Sequence, residues 1–400
     1  MRYRHAFDGV RVMKSLWFAL CVTAAMTVAT AANAEQADNV QVRLCPPTQM
    51  RAYPLDEQGR LKSLQISGIA IINRGSSAFV IERITISLLD HGRALDARTL
   101  EAPEIARWVG NGPPLLRAMR STGFEFCGDA LAPADVSAGG RTLNHDETLL
   151  VVNQVFAYDH TRDAALVAVD GSIDGRRVTL RATIPISEQI GARLRFPLRG
   201  VWYVGWGPSF HTGHRAHIFE EFALDIAKLG GEGVTHRGAG LRFEDYYAYG
   251  APVLAAAAGR VVHVEANQAE NRSALQRPDE TAEAYNTRHS AEASEEMASR
   301  GPDWVLGNYV VIDHGEGEYS VYAHLQPGSL RVRAGDAVRS GDVLGKLGSS
   351  GNSTEPHLHF QVCDRPEPLS CAGVPVQFSN ITLLWSDLRA VQSGDIVTAR

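Results

Sequence analysis

The chain has little of what several common functions require. Its 400 residues include five cysteines and no Cys-x-x-Cys pair, which argues against a thiolate metal site or a redox motif. There is no basic stripe: 39 Lys and Arg stand against 45 Asp and Glu, a formal charge of -6. Nucleic acid is therefore not expected as a partner. The N-terminal apolar run, Leu16 to about Val28, is too short to span a membrane. Paired turns between Val332 and Gly345 resemble those of biotinyl and lipoyl carriers, but no lysine sits at a hairpin tip, and Lys346 lies in the wrong strand. That stretch reads as scaffold.

What is present describes an exported globular protein. An apolar fraction of 44% with 21% charged residues and this length predict two or three domains. Arg11 and Lys14 precede the apolar run, and Ala32-Asn33-Ala34 follows as an A-x-A cleavage site. Residues 1–34 thus read as a signal peptide, with export to the periplasm or beyond and no stable membrane span after cleavage. Cys21 leaves with the signal. Of the four that remain, Cys363–Cys371 is the local pair, closing a loop that contains Pro366 and Pro368, which leaves Cys45–Cys127.

Residues 35–195 alternate as strands: Leu64–Ile71, Phe79–Leu88, Leu149–Phe156, Ala164–Val169 and Val178–Ile184, with turns expected at Asp170-Gly171 and Asp174-Gly175. The spacing predicts an immunoglobulin-like β-sandwich. Glu101 to Met119 has helical spacing, interrupted from Gly110 to Pro114. No catalytic constellation is visible there. Residues 196–385 read as a second β domain, with 386–400 as a C-terminal segment. Trp202, Trp206, Phe210, Phe219 and Phe222, interleaved with His211, His214 and His217, suggest a loop over a site. Residues 267–306 read as a polar insertion, partly mobile, with a helix from Thr281 to Met297. Gly348–Ser353 reads as a flexible loop leading to Pro356-His357-Leu358-His359-Phe360. In a strand, His357 and His359 face the same side, so two imidazoles can serve one metal and its surroundings.

Tyr322-Ala323-His324-Leu325, the Ala334-Gly335-Asp336 turn, the loop before the histidine pair and the His357-Leu358-His359 strand together resemble the M23 (LytM/lysostaphin-type) zinc metallopeptidase family. The likeness covers roughly residues 210–378, the insertion excepted. It implies an antiparallel β fold with a groove, a Zn2+ cofactor and peptidoglycan peptides as substrate. It implies Asp225 and His359 as metal ligands, and His324 and His357 as the catalytic histidines beside the reacting water. Apart from the resemblance, Asn308 and Tyr322 either border a substrate groove or pack across strands.

One position departs from the family pattern. Four residues before Asp225, where a histidine ligand is expected, stands Glu221. Three outcomes are open: Glu221 ligates, His214 or His217 occupies the vacant place, or no competent site forms. The first two give a zinc-dependent endopeptidase. The third gives a degenerate relative that binds the cell wall or activates a partner hydrolase.

Overall fold

The computed structural model describes residues 39–122, 136–191, 193–209, 213–384 and 390–400. The expected signal peptide and His211 lie outside them, and so does the Cys45–Cys127 pairing, which needs Cys127.

The alternating segments form long strands. β1 (Val40–Cys45), β2 (Lys62–Asn73) and β5 (Glu147–Tyr158) build one sheet, in the order β1-β2-β5. β3 (Phe79–Asp90), β4 (Arg93–Leu100), β6 (Ala164–Ile173) and β7 (Arg176–Ser187) build the other, in the order β7-β6-β3-β4. Leu64, Ile66, Ile84, Ile86, Val151, Val167, Val169 and Leu180 from both sheets close one apolar core. The period-two pattern dictates this layering, because each strand sends every second side chain inward. Two sheets thus share one core.

Two local expectations fail here. Asp170-Gly171 is no turn. It lies within β6, which runs on to the hairpin at Asp174-Gly175, and Gly171 marks a bulge against β3. A side chain at Gly171 would meet the Val80 carbonyl and the Phe79 ring, so the glycine answers a close approach rather than a reversal. The helix α1 (Ala102–Thr122) runs unbroken through Gly110-Asn111-Gly112-Pro113-Pro114.

The second half is organised on one nine-stranded sheet. Its strands are β8 (Gly200–Trp206), β9 (Leu224–Ala227), β10 (Gly259–Glu265), β11 (Asn308–Asp313), β12 (Tyr319–Leu325), β13 (Leu358–Cys363), β14 (Ile381–Leu383) and β15 (Ile396–Ala399). With the short strand Ala337–Val338 at one edge, the order is β10-β11-β12-β13-β9-β8-β15-β14. Two expectations change. The aromatic segment expected as a loop contributes β8 and β9 to the middle of the sheet. The C-terminal segment is part of the same sheet, since β15 pairs with β8 and β14.

The insertion carries α2 (Ala282–Arg300), capped by Thr281, whose side chain accepts from the Ala284 amide. It is tied down rather than loose. Tyr285 Oη donates to the Thr354 carbonyl, Asn271 Nδ2 donates to that of Gly351, and the Asn352 amide donates to that of Val305. The expected flexible loop is likewise ordered: Ser349, Ser350 and Ser353 are buried.

The two halves belong to one compact unit, Ala32–Arg400. The reason lies on β2. Ser63, Gln65 and Ser67 alternate with core residues and face away from the sandwich core, yet all three are buried. Beneath Ser63 lies the second half, where Arg215 Nη1 donates to Ser63 Oγ at 2.8 Å, whereas Gln65 Nε2 donates to Asn153 Oδ1 of β5. No helix among the described residues is long and apolar enough to cross a membrane.

Candidate metal centre

Strand order sets the site. β13 lies between β12 and β9, and its register places His359 directly opposite Asp225 on one side and Ala323 on the other. His324 follows Ala323 where β12 bulges against β11. It adopts φ +61°, a left-handed backbone uncommon for a residue with a side chain. The bulge re-aims its ring across the sheet face, to 4.7 Å from the His357 ring and 5.9 Å from that of His359, centre to centre.

The fourth histidine comes from outside the sheet. A short 3-10 turn, His214–Ala216, brings His214 Nε2 to 3.2 Å from Asp225 Oδ2. His359 Nδ1 is 2.9 Å and His357 Nε2 3.4 Å from Asp225 Oδ1. His214, Asp225 and His359 each offer one donor atom, and these all lie within 4.8 Å of one another.

Each ring is oriented through its other nitrogen. His214 Nδ1 lies 3.3 Å from the Ala223 carbonyl, His324 Nδ1 2.8 Å from that of Ser350, and His357 Nδ1 2.7 Å from that of Glu355. His359 Nε2 lies 2.8 Å from Gln361 Oε1. The amide of Gln361 is held in turn by the Pro368 carbonyl at 3.0 Å. A carbonyl can only accept, so each such nitrogen carries a proton, and in the neutral ring the opposite one keeps the lone pair. Sequence inspection missed these partners. Gln361 was within reach of it, two residues beyond His359 on the same strand face. The carbonyls were not.

Burial and charge divide the group. Burial works to raise Asp225, but His214 and His357 outweigh it and hold the carboxylate well below its usual range. Burial opposes a charge on His214, yet Asp225 wins and lifts it to about 9. His357 is raised for the same reason against the same penalty. His324 goes the other way: burial, then the neighbouring His357 and His359, push it well below 6.5.

The remaining candidates are placed elsewhere. Glu221 is buried beside Arg215, its Oε1 3.0 Å from Arg215 Nη2, and it contributes no atom to the three-donor group. Burial pushes it up to about 7, against the pull of Arg215 and Arg51. His217 is exposed, with Nδ1 2.6 Å from Glu220 Oε1. It lines the mouth but stands apart from the donors. Asn308 and Tyr322 do not border the groove. Asn308 Nδ2 donates to the carbonyls of Gln268 and Leu325, and Tyr322 Oη accepts from the Ala256 amide. Both are fully buried because strand pairing turns them into the fold. Cys363 and Cys371 are joined as a disulfide, next to Gln361.

The donors open into a cavity of about 640 Å³. Its walls include Tyr203 and Trp206 of β8, Val305 and Leu306 of the insertion, and Thr354 and Glu355. Trp206 is 51% exposed, its ring 5.7 Å from that of His214. Two imidazole nitrogens and one carboxylate oxygen, converging and largely buried, suit a borderline metal such as zinc.

Comparison with known proteins gives a consistent family. Residues 290–371 match the model of Peptidase family M23, a span that holds His324, His357 and His359 but neither Asp225 nor His214. The chain is 35% identical over 92 residues to DD-carboxypeptidase/endopeptidase Mpg of Neisseria meningitidis serogroup B, covering 23% of this chain and 21% of that protein. It is 37% identical over 75 residues to peptidoglycan DD-endopeptidase ShyA of Vibrio cholerae, 18% of this chain and 17% of that one. The chain thus spans about a fifth of the length of these relatives. Among solved structures, the catalytic domain of lysostaphin from Staphylococcus simulans is 19% identical with a TM-score of 0.24, covering 43% of this chain and 86% of that one. On its motifs and the family-model match, the stretch of residues 290–371 is that of a Peptidase family M23 domain.

Proposed function

We propose that this protein is an exported, zinc-dependent endopeptidase that cuts peptide bonds in bacterial peptidoglycan. The observation that carries the proposal is His214. A donor from outside the strand motif stands beside Asp225 and His359, in the place that Glu221 does not fill. The relatives named for peptidoglycan cleavage supply the substrate class.

In this reading His214 Nε2, the Asp225 carboxylate and His359 Nδ1 hold zinc. Zinc bound there polarises the scissile carbonyl and acidifies water. The chain's own residues do the rest. His324 is neutral at pH 7, and its Nδ1–H is committed to the Ser350 carbonyl. Its Nε2 is therefore the nitrogen free to take a proton from the attacking water. His357, raised by Asp225 and oriented by Glu355, can present an N–H toward developing negative charge or the leaving amine. The apolar and aromatic wall of Trp206, Val305 and Leu306 shields one side of the site, which strengthens each of these interactions.

The test is direct. Purified mature protein is analysed for bound zinc and for release of muropeptides from sacculi. One equivalent of zinc and chelator-sensitive release are expected. A protein that takes up no zinc and releases nothing when zinc is supplied would remove the enzyme reading.

A further inference from the structure

We infer that the N-terminal sandwich positions the third metal ligand, acting through Arg215. The inference rests on the reading of His214 as a ligand, and it concerns how that ligand is held.

His214 and Arg215 are neighbours on the same 3-10 turn, and their side chains go opposite ways. His214 reaches Asp225, while Arg215 reaches the sandwich. The turn has little of its own to fix it. The His217 amide donates to the His214 carbonyl, and the Glu220 amide to that of His217. Such i-to-i+3 bonds have poor geometry and hold short pieces only weakly. Its place must come from what packs against it.

Arg215 heads the largest fully buried side chains and is 1% exposed. Nη1 donates to Ser63 Oγ of β2 at 2.8 Å, and Nη2 is 3.0 Å from Glu221 Oε1. The guanidinium lies 5.3 Å from the centre of the Phe222 ring, which stacks on Tyr53 at 5.6 Å. Tyr53 Oη donates to the Val391 carbonyl at 2.6 Å. Ile218 packs with Ala70 and Ile72 of β2 and Leu150 of β5. Between residues 214 and 222 the chain is therefore fastened repeatedly to the sandwich, on the side away from the donors. A rigid planar fork that is always charged suits this role better than an apolar anchor, because its direction is set by its partners. Glu221 thus has a task of its own. It is the counterpart of Arg215, which explains a carboxylate at the place where the family has a ligand.

The test uses the full chain and two variants. Ser63→Ala removes the sandwich's hydroxyl. The pair Arg215→Met with Glu221→Leu replaces the buried ions by apolar groups of similar size, a change that folds are known to tolerate. Zinc affinity is measured by competition with a chromophoric chelator. The His214 ring signals are followed by 1H–15N NMR in the zinc-free protein. Both variants are expected to bind zinc about 10–100-fold more weakly, with the zinc-free melting temperature within a few degrees of the parent and the His214 signals shifted or broadened. Zinc affinity within twofold of the parent and unchanged His214 signals in both would overturn the inference. If the paired variant does not fold, Ser63→Ala decides alone. If the parent takes up no zinc, the metal reading falls, and the His214 signals of the zinc-free chains still decide the positioning.

Discussion

His214 and Glu221 stand seven positions apart, and substitution should separate them cleanly. Structural zinc sites with four ligands are worth about 10–16 kcal/mol, so one protein donor accounts for about 3 kcal/mol. His214→Ala should therefore weaken zinc by about 100-fold. Glu221→Gln should leave zinc in place and reveal itself in stability. Raised from an ordinary 4.5 to about 7 by burial, this carboxyl holds its proton more tightly in the folded chain, a difference of about 3 kcal/mol. The sign follows from linkage. With the folded value above the unfolded one, the contribution favours folding below about pH 4.5 and is lost as pH rises through 7. Gln cannot ionise, so the variant escapes that loss. Its melting temperature relative to the parent should climb between pH 4.5 and 7.5 and level off above. The assay is differential scanning calorimetry of both proteins across that range, with chelator titration at pH 7. Zinc lost from Glu221→Gln and kept by His214→Ala would refute the site assignment. A parent that gains on the variant with rising pH would refute the account of the buried carboxyl.

The other expectations are simpler. His359→Ala and Asp225→Ala should lose zinc, whereas His324→Ala should retain it and lose about 10²–10⁴-fold in muropeptide release; zinc content and turnover on the same samples check this. Gly307 has φ +63°, and a side chain there would run into the Ser350 backbone, whose carbonyl orients His324. Gly307→Ala should lower the turnover number while zinc stays bound, as read by the same pair of assays. Reduction of Cys363–Cys371, eight residues apart, should cost about 2.5 kcal/mol by loop entropy, seen as a lower melting temperature under reductant. Arg288 holds Glu280 in the insertion and lowers it to about 2. That interaction is present above pH 4.5 and fades as pH falls toward 2, so protease cleavage within 267–306 should speed up in that acid window.

Where local pattern decides structure, the sequence was a good guide. Period-two apolar alternation located the long strands of the sandwich, because a strand buried on one face has no other way to distribute its side chains. It misled where a glycine could serve a bulge as well as a turn, as at Gly171, and where a strand was too short and too rich in tryptophan to show a period, as at Gly200–Trp206. The histidine pair at the start of β13 was legible for the same reason as the strands: His357 and His359 lie two apart, and so does Gln361 beyond them. Motif order added Asp225 and His324.

The tertiary structure decided what spacing could not. No local rule says that β9 and β12 flank β13, yet that order is what brings Asp225 and His324 to His359. Nor could the sequence say which of His214, His217 and Glu221 stands beside Asp225, since all three lie on irregular backbone with no period to aim them. The choice came from long-range packing. Ser63, more than 150 positions away, together with the Tyr53–Phe222 stack, turns Arg215 and Glu221 toward the sandwich and leaves His214 facing Asp225. A chain's own alternation sets which face a side chain takes. Which partner waits on that face is set by contacts between segments that the sequence keeps far apart.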